Sequence, residues 1–158
     1  MAIRLHAEIE IVIESIATIV ITFGSLAMFA YWFRYSCLLI LSARTSRDYA
    51  ASIAELHQLA FAAAQSSVRV ATWEDLPALK DSLDRDRYVL ARLLEQRSGS
   101  DDAGVENQML HAYYSVMKFT YSVSQAFSPA AARHALAQMA EVLAHFANVV
   151  GECSSAAA

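Results

Sequence analysis

The stretch from Ile11 to Phe33 constrains this chain more than any other part of its sequence. Its 23 residues include one charged side chain, Glu14, and no proline. An α-helix of that length measures about 34 Å, enough to cross the roughly 30 Å hydrocarbon core of a bilayer. We therefore predict a single membrane-spanning helix. It is expected to continue through an apolar extension to residue 43, because no helix breaker follows Phe33.

Charged and aromatic residues mark both ends of this predicted span. The 19 residues between Glu14 and Arg34 match the thickness of the hydrocarbon core, so both charges are expected near a headgroup region. Tyr31, Trp32 and Tyr35 cluster at the Arg34 end, and such rings favour the membrane interface. The pattern predicts an anchored helix with defined depth.

The cations around the span predict its orientation. Arg34, Arg44 and Arg47 follow the apolar run, whereas only Arg4 precedes it closely. Cytoplasmic flanks are usually richer in lysine and arginine. We expect the C-terminal part of the chain to be cytoplasmic and the N-terminus to lie outside.

Two other interpretations of the apolar run remain open. A buried helix in a soluble bundle is also apolar on all sides. A cleaved signal peptide begins with a basic region and has a shorter apolar core. The acidic residues before the run and the bulky residues after it disfavour that second alternative.

A polar stripe lies within the predicted span. At 100° per residue, Glu14, Thr18, Thr22 and Ser25 share one face of the helix. The stripe predicts a helix–helix interface with another copy or another membrane subunit. Alternatively the hydroxyls bond to their own backbone, or the stripe lines the path of an oligomeric channel or transport component.

The composition predicts an all-α fold for the rest of the chain. Only four glycines and two prolines occur among 158 residues, which disfavours turn-rich β structure. We predict a lead-in at 1–10, the span with its extension at 11–43, a cytoplasmic bundle of about four helices at 44–151, and a flexible tail at 152–158.

Several local signals divide the predicted bundle. Helical spacing predicts one helix over 45–65. Threonine precedes aspartate by three residues at 45–48 and at 72–75, which matches a capping box. The first match either starts a new helix or lies within a helix by chance, and the second predicts a helix start. Small and acidic residues at 98–104 predict a loop. Ser128 and Pro129 predict a helix start. The last helix is expected to bury the residues that repeat at 4–3 spacing, namely Leu136, Met139, Leu143, Phe146 and Val150.

The segment from Val105 to Phe127 is predicted to be a helix that is apolar almost all round. Such a helix is either central in its bundle or covered by a partner. We expect a partner to contact its larger side chains. These are Tyr113, Tyr114, Met117 and Tyr121.

No motif in the sequence indicates a reaction. Nucleophile elbows and glycine-rich phosphate loops are absent, and Cys37 and Cys153 lack zinc-ligand spacing. The net charge of −4 comes without a basic block, so no nucleic-acid partner is expected. His57 and His111 are the weak candidates for cofactor binding, as a bis-histidine haem or metal redox site.

Together these features predict a non-catalytic protein without a bound cofactor. We expect a single-pass, membrane-anchored interaction or accessory subunit of a membrane protein complex. Its expected partners are the lipid bilayer and other membrane subunits, or further copies of itself. The channel and the redox carrier remain the alternatives.

Overall fold

The computed structural model describes the backbone of residues 2–42, 49–97 and 104–156 and the side chains of residues 13–42, 49–96 and 104–155. Over these ranges the chain forms six α-helices and no strand, which confirms the all-α prediction. The helices are α1 (Ala2–Ser42), α2 (Ala50–Leu56), α3 (Phe61–Ser67), α4 (Leu76–Arg97), α5 (Gly104–Ser124) and α6 (Pro129–Ala156). The chain divides into two compact units, Met1–Leu39 and Ile40–Ala158.

Helix α1 forms the described part of the first unit, and its last three residues, 40–42, belong to the second unit. It runs without a break from Ala2 to Ser42, so the predicted continuation beyond Phe33 is confirmed. The lead-in predicted at 1–10 is already helical from Ala2 onward. No proline or internal glycine cluster interrupts the sequence there, so nothing stops the helix from starting before the apolar run.

Helix α6 is the centre of the second unit. It packs against α2, α3, α4 and α5. Small residues along it let these neighbours approach closely; Ala132, Ala140 and Ala147 are completely buried. The 4–3 prediction for this helix is confirmed, because all five of its predicted inward residues are fully buried, namely Leu136, Met139, Leu143, Phe146 and Val150.

The ends of α6 agree only in part with the predictions. The predicted start is confirmed: Pro129 is the first helical residue, and the Ala131 N–H donates to Ser128 Oγ at 3.4 Å. The helix was expected to end near Gly151, but it continues to Ala156. Residues 152–156 are therefore helical, and the last two residues of the predicted tail lie outside the described part of the chain.

Helix α4 packs its leucines inward. Leu76, Leu83 and Leu90 are fully or almost fully buried. The predicted capping box at its start is half formed, because Asp75 Oδ2 accepts from the Thr72 N–H at 3.1 Å and from its hydroxyl at 2.5 Å. The helix itself begins only after this turn, at Leu76.

The single helix predicted over 45–65 is wrong for the described residues of that range. The chain instead forms α2 and α3, separated by a turn in which Gln58 has φ 51°. This left-handed conformation costs a residue other than glycine about 1–2 kcal/mol. The break raises the number of helices after α1 to five. The other predicted capping box (45–48) and residues 98–103 of the predicted loop lie outside the described residues. Gly104, the last residue of that predicted loop, is instead the first residue of α5.

Candidate functional site

The surface of α1 is the most extensive apolar surface that the structure describes. Its segment Ile13–Ser42 spans 30 residues with a mean hydropathy of 1.8 in its most apolar window, and none of that window is buried. Val20, Ile21 and Phe23 are 63–68% exposed. By length and composition, α1 alone among the described helices is able to cross a membrane. The alternative of a buried core helix disagrees with this exposure.

The two threonine hydroxyls of the predicted polar stripe bond within α1. Thr18 Oγ1 donates to the Glu14 carbonyl oxygen at 2.8 Å, and Thr22 Oγ1 donates to the Thr18 carbonyl oxygen at 2.7 Å. Both donors are thus satisfied without water, as lipid requires. Glu14, Thr18, Thr22 and Ser25 are exposed together, and their role as a helix–helix interface or channel lining stays a prediction.

An aromatic cluster lies next to Arg34 along the sequence of α1, near its C-terminal end. The rings of Tyr31 and Tyr35 stack with centroids 6.5 Å apart, and Trp32 meets Tyr35 edge-on at 5.9 Å. All three rings and Arg34 are exposed. Rings with a polar atom beside an arginine are typical of the zone where hydrocarbon meets water.

The structure corrects the predicted partner-facing residues of α5. Tyr113, Tyr114 and Tyr121 are at most 2% exposed, and Met117 is half-buried. They face the chain's own bundle because hydrogen-bond partners are available there: the Tyr113 hydroxyl donates to Gln138 Oε1 of α6 at 2.8 Å. The outward face of α5 is formed by smaller aliphatic residues and Phe119.

Helix α4 carries an ionic cluster around Asp84 that sequence reasoning missed. Lys80 Nζ and Lys118 Nζ lie 3.2 and 2.8 Å from Asp84 Oδ2, and the Tyr114 hydroxyl donates to Asp84 Oδ1 at 3.1 Å. Partial burial would raise the pKa of Asp84, but the hydrogen bonds from the two lysines outweigh it and hold that pKa below its usual value. The cluster joins α4 to α5.

An open pocket of about 300 Å³ lies beside this cluster, lined by Asp84, Arg87, Tyr88, Ala91, His111 and Lys118. Arg87 stacks over the Tyr114 ring at 4.8 Å, and Lys118 already contacts Asp84. No serine or cysteine lines the pocket. These contacts join α4 to α5 beside the pocket.

Asp86 is a buried carboxylate on α4. It is 1% exposed, and its Oδ2 accepts from the backbone N–H groups of Ala60 and Phe61 at 2.6 and 2.8 Å. Burial raises its pKa, against the lowering effect of these two hydrogen bonds. The sequence indicated this burial, because Asp86 lies between Leu83 and Leu90 on the leucine face of α4.

The two histidines considered for a cofactor lie on elements that do not pack together. His57 follows α2, which packs against α3 and α6, whereas His111 belongs to α5, which packs against α6. The His111 ring lies 4.7 Å from that of Phe146, and burial, then the charge of Arg87, lowers its pKa. Among the described residues no group of three His, Cys, Asp or Glu side chains is placed to hold a metal. The haem hypothesis gains no support.

Comparison with known proteins adds no relative. No protein-family model, no curated protein sequence and no solved structure matches this chain.

Proposed function

We propose that this chain is a membrane-anchored, non-catalytic helical subunit. Helix α1 spans the bilayer, and the helices from α2 to α6 form a cytoplasmic unit that binds a membrane protein partner. The exposed apolar surface of α1 carries the proposal. Each large apolar side chain gains about 1.5–3 kcal/mol on leaving water, and more than ten such side chains lie exposed between Ile13 and Leu39.

Two further features of α1 support membrane insertion, and the flanking cations support its orientation. The hydroxyls of Thr18 and Thr22 are satisfied by its own backbone, so the helix brings no unpaired threonine donor into lipid. The aromatic cluster supplies an interfacial anchor at the Arg34 end. The excess of arginine after the span supports a cytoplasmic bundle.

Insertion is tested by placing charge at the middle of the span. The double variant Val20→Arg, Phe23→Arg costs roughly 5–7 kcal/mol at the bilayer centre. We expect this variant to leave the membrane fraction that resists alkaline carbonate extraction, as measured by immunoblotting. Val70→Arg is the control, because Val70 is 81% exposed outside α1 and its variant should remain in the membrane. Carbonate extraction of the unaltered chain would overturn the proposal.

Orientation is tested with the exposed Cys153. In intact cells an impermeant maleimide should label Cys153 only after the membrane is permeabilised. A cysteine at the other end, in an Ala2→Cys, Cys153→Ser variant, should react without permeabilisation. The reverse labelling pattern would place the bundle outside and contradict the cytoplasmic assignment alone.

A further inference from the structure

A narrow apolar seam runs along the outside of α5. We define the α5 seam as Val105, Ala112, Val116, Phe119 and Val123, which are all exposed. Val105 and Phe119 are each 70% exposed. The half-buried Met109 completes a 4–3–4–3–4 spacing along the seam. A repeat averaging 3.5 residues is typical of a helix that packs along another helix.

Three hydroxyls that border the α5 seam are satisfied within α5. The hydroxyls of Ser115, Thr120 and Ser122 donate to the carbonyl oxygens four residues earlier at 2.9, 2.9 and 3.0 Å. Lys118 is the only lysine, arginine, aspartate or glutamate between Asn107 and Phe127, and it points to Asp84 of α4. Between Asn107 and Val123, covering the seam therefore leaves no buried charge and no unpaired serine or threonine hydroxyl.

We propose that the α5 seam is the contact between two copies of this chain, related by a two-fold axis. A symmetric interface requires a surface that complements itself. An uncharged seam in which Phe119 alternates with valine and alanine meets this requirement, since two copies bring no like charges together. A helix that lies on lipid headgroups carries lysine or arginine around its apolar face, and α5 has none there.

The available area is close to what a specific dimer needs. The exposed seam residues, with Phe127 at 85% exposure just after the helix, offer roughly 500 Å² per copy, or about 1,000 Å² in total. That area gives a weak dimer in solution. The inference rests on the proposed function, because confinement to one bilayer raises the effective concentration of each copy for the other.

Cysteine cross-linking in native membranes tests the seam. In the full chain with Cys37→Ala and Cys153→Ala, single Ala112→Cys and Val116→Cys variants are oxidised and examined on non-reducing gels. Both residues lie close to the centre of the seam. Equivalent cysteines face each other in a parallel pair and are offset by only about 6 Å along the helix axis in an antiparallel pair. We expect a disulfide-linked dimer for both variants and none for Val70→Cys, the exposed control.

A charge variant provides the complementary measurement. Phe119→Glu with Val123→Glu places four carboxylates in the dimer, and we expect at least about a tenfold lower dimer yield from Val116→Cys. Val70→Glu should leave that yield unchanged.

Equal cross-linking at Ala112, Val116 and Val70, or linkage to a different protein, overturns the dimer. If the seam cysteines do not cross-link while the chain resists carbonate extraction, the membrane anchor stands without the dimer. If the chain is extracted yet still cross-links, the anchor fails alone.

Discussion

Asp86 shows how one side chain on α4 fixes the start of another helix, α3. Its carboxylate caps the start of α3 by accepting the N–H groups of Ala60 and Phe61, which helix geometry leaves without intrahelical partners. The capping residue lies 25 and 26 positions away in the sequence. The local residue Ala60 at the N-cap position has no side chain able to do this.

Removing this carboxylate should destabilise the bundle. We expect Asp86→Ala to lower the free energy of unfolding by about 2–4 kcal/mol, because two buried N–H groups lose their acceptor. Asp86→Asn keeps one oxygen and should lose less. Urea unfolding in detergent, followed by circular dichroism, measures both changes. Hydrogen exchange at the Ala60 and Phe61 amides should accelerate in the alanine variant; equal exchange in both variants would contradict the cap.

The pH dependence of stability should carry opposite contributions from Asp86 and Asp84. Burial raises the pKa of Asp86 above 3.8, so the folded state binds the proton more tightly than the unfolded chain. Its contribution is present below that ordinary value and is lost as pH rises through the raised pKa. For Asp84, burial is outweighed by the lysine hydrogen bonds and the pKa is lowered. Its contribution is present above the ordinary value and is lost as pH falls.

Urea midpoints between about pH 3 and pH 7 separate these two contributions. Compared with the unaltered chain, Asp86→Asn should remove a fall in stability as pH rises. Asp84→Asn should instead remove a fall in stability on acidification. Parallel pH curves for both variants would show that neither carboxylate has a different pKa in the folded and unfolded states.

At the scale of elements, the C-terminal half of α6 is held against the chain that enters α2. The Tyr49 N–H donates to Asn148 Oδ1 at 2.8 Å. Gly151 lies beneath the Tyr49 side chain, where an added Cβ would come within 2.6 Å of Tyr49 Cγ. Only glycine permits this approach without displacement of the ring.

A methyl group at this contact should separate the two elements. We expect Gly151→Ala to cost about 1–3 kcal/mol, as overpacking does in a filled core. Gly104→Ala is the matched control, because no atom lies within 4 Å of its added Cβ. Thermal unfolding should show a lower midpoint for the first variant only; a similar shift in both would exclude the clash as the cause.

The clearest difference between expectation and structure at this scale is which face of α5 is buried and which is exposed. Large aromatic residues were expected to meet a partner, but Tyr113 and Tyr114 find acceptors on α6 and α4. Burial of these rings with satisfied hydroxyls gains more apolar contact than burial of the valines. The valines and Phe119 consequently remain outside, where they form the proposed dimer contact.

At the scale of the whole molecule, the chain combines one uncovered apolar helix with a separate helical unit. The first unit exposes its apolar side chains, whereas the second buries the apolar face of α6 completely. The proposed anchor accounts for the exposed apolar residues of the first unit, and the proposed dimer for those along α5 in the second.

The amino-acid sequence by itself determined those features that depend on neighbouring residues. Helical composition, the uninterrupted apolar run of α1, the inward spacing of α6 and its start at Ser128 and Pro129 all follow from local periodicity and capping chemistry. Only the tertiary structure decided where the 45–65 segment breaks and which face of α5 is buried. After the break at Gln58, α3 starts where Asp86 of α4 caps it, and the buried face of α5 is the one whose tyrosines find hydrogen-bond acceptors on other helices. The residues that decide both features therefore lie outside the segments concerned.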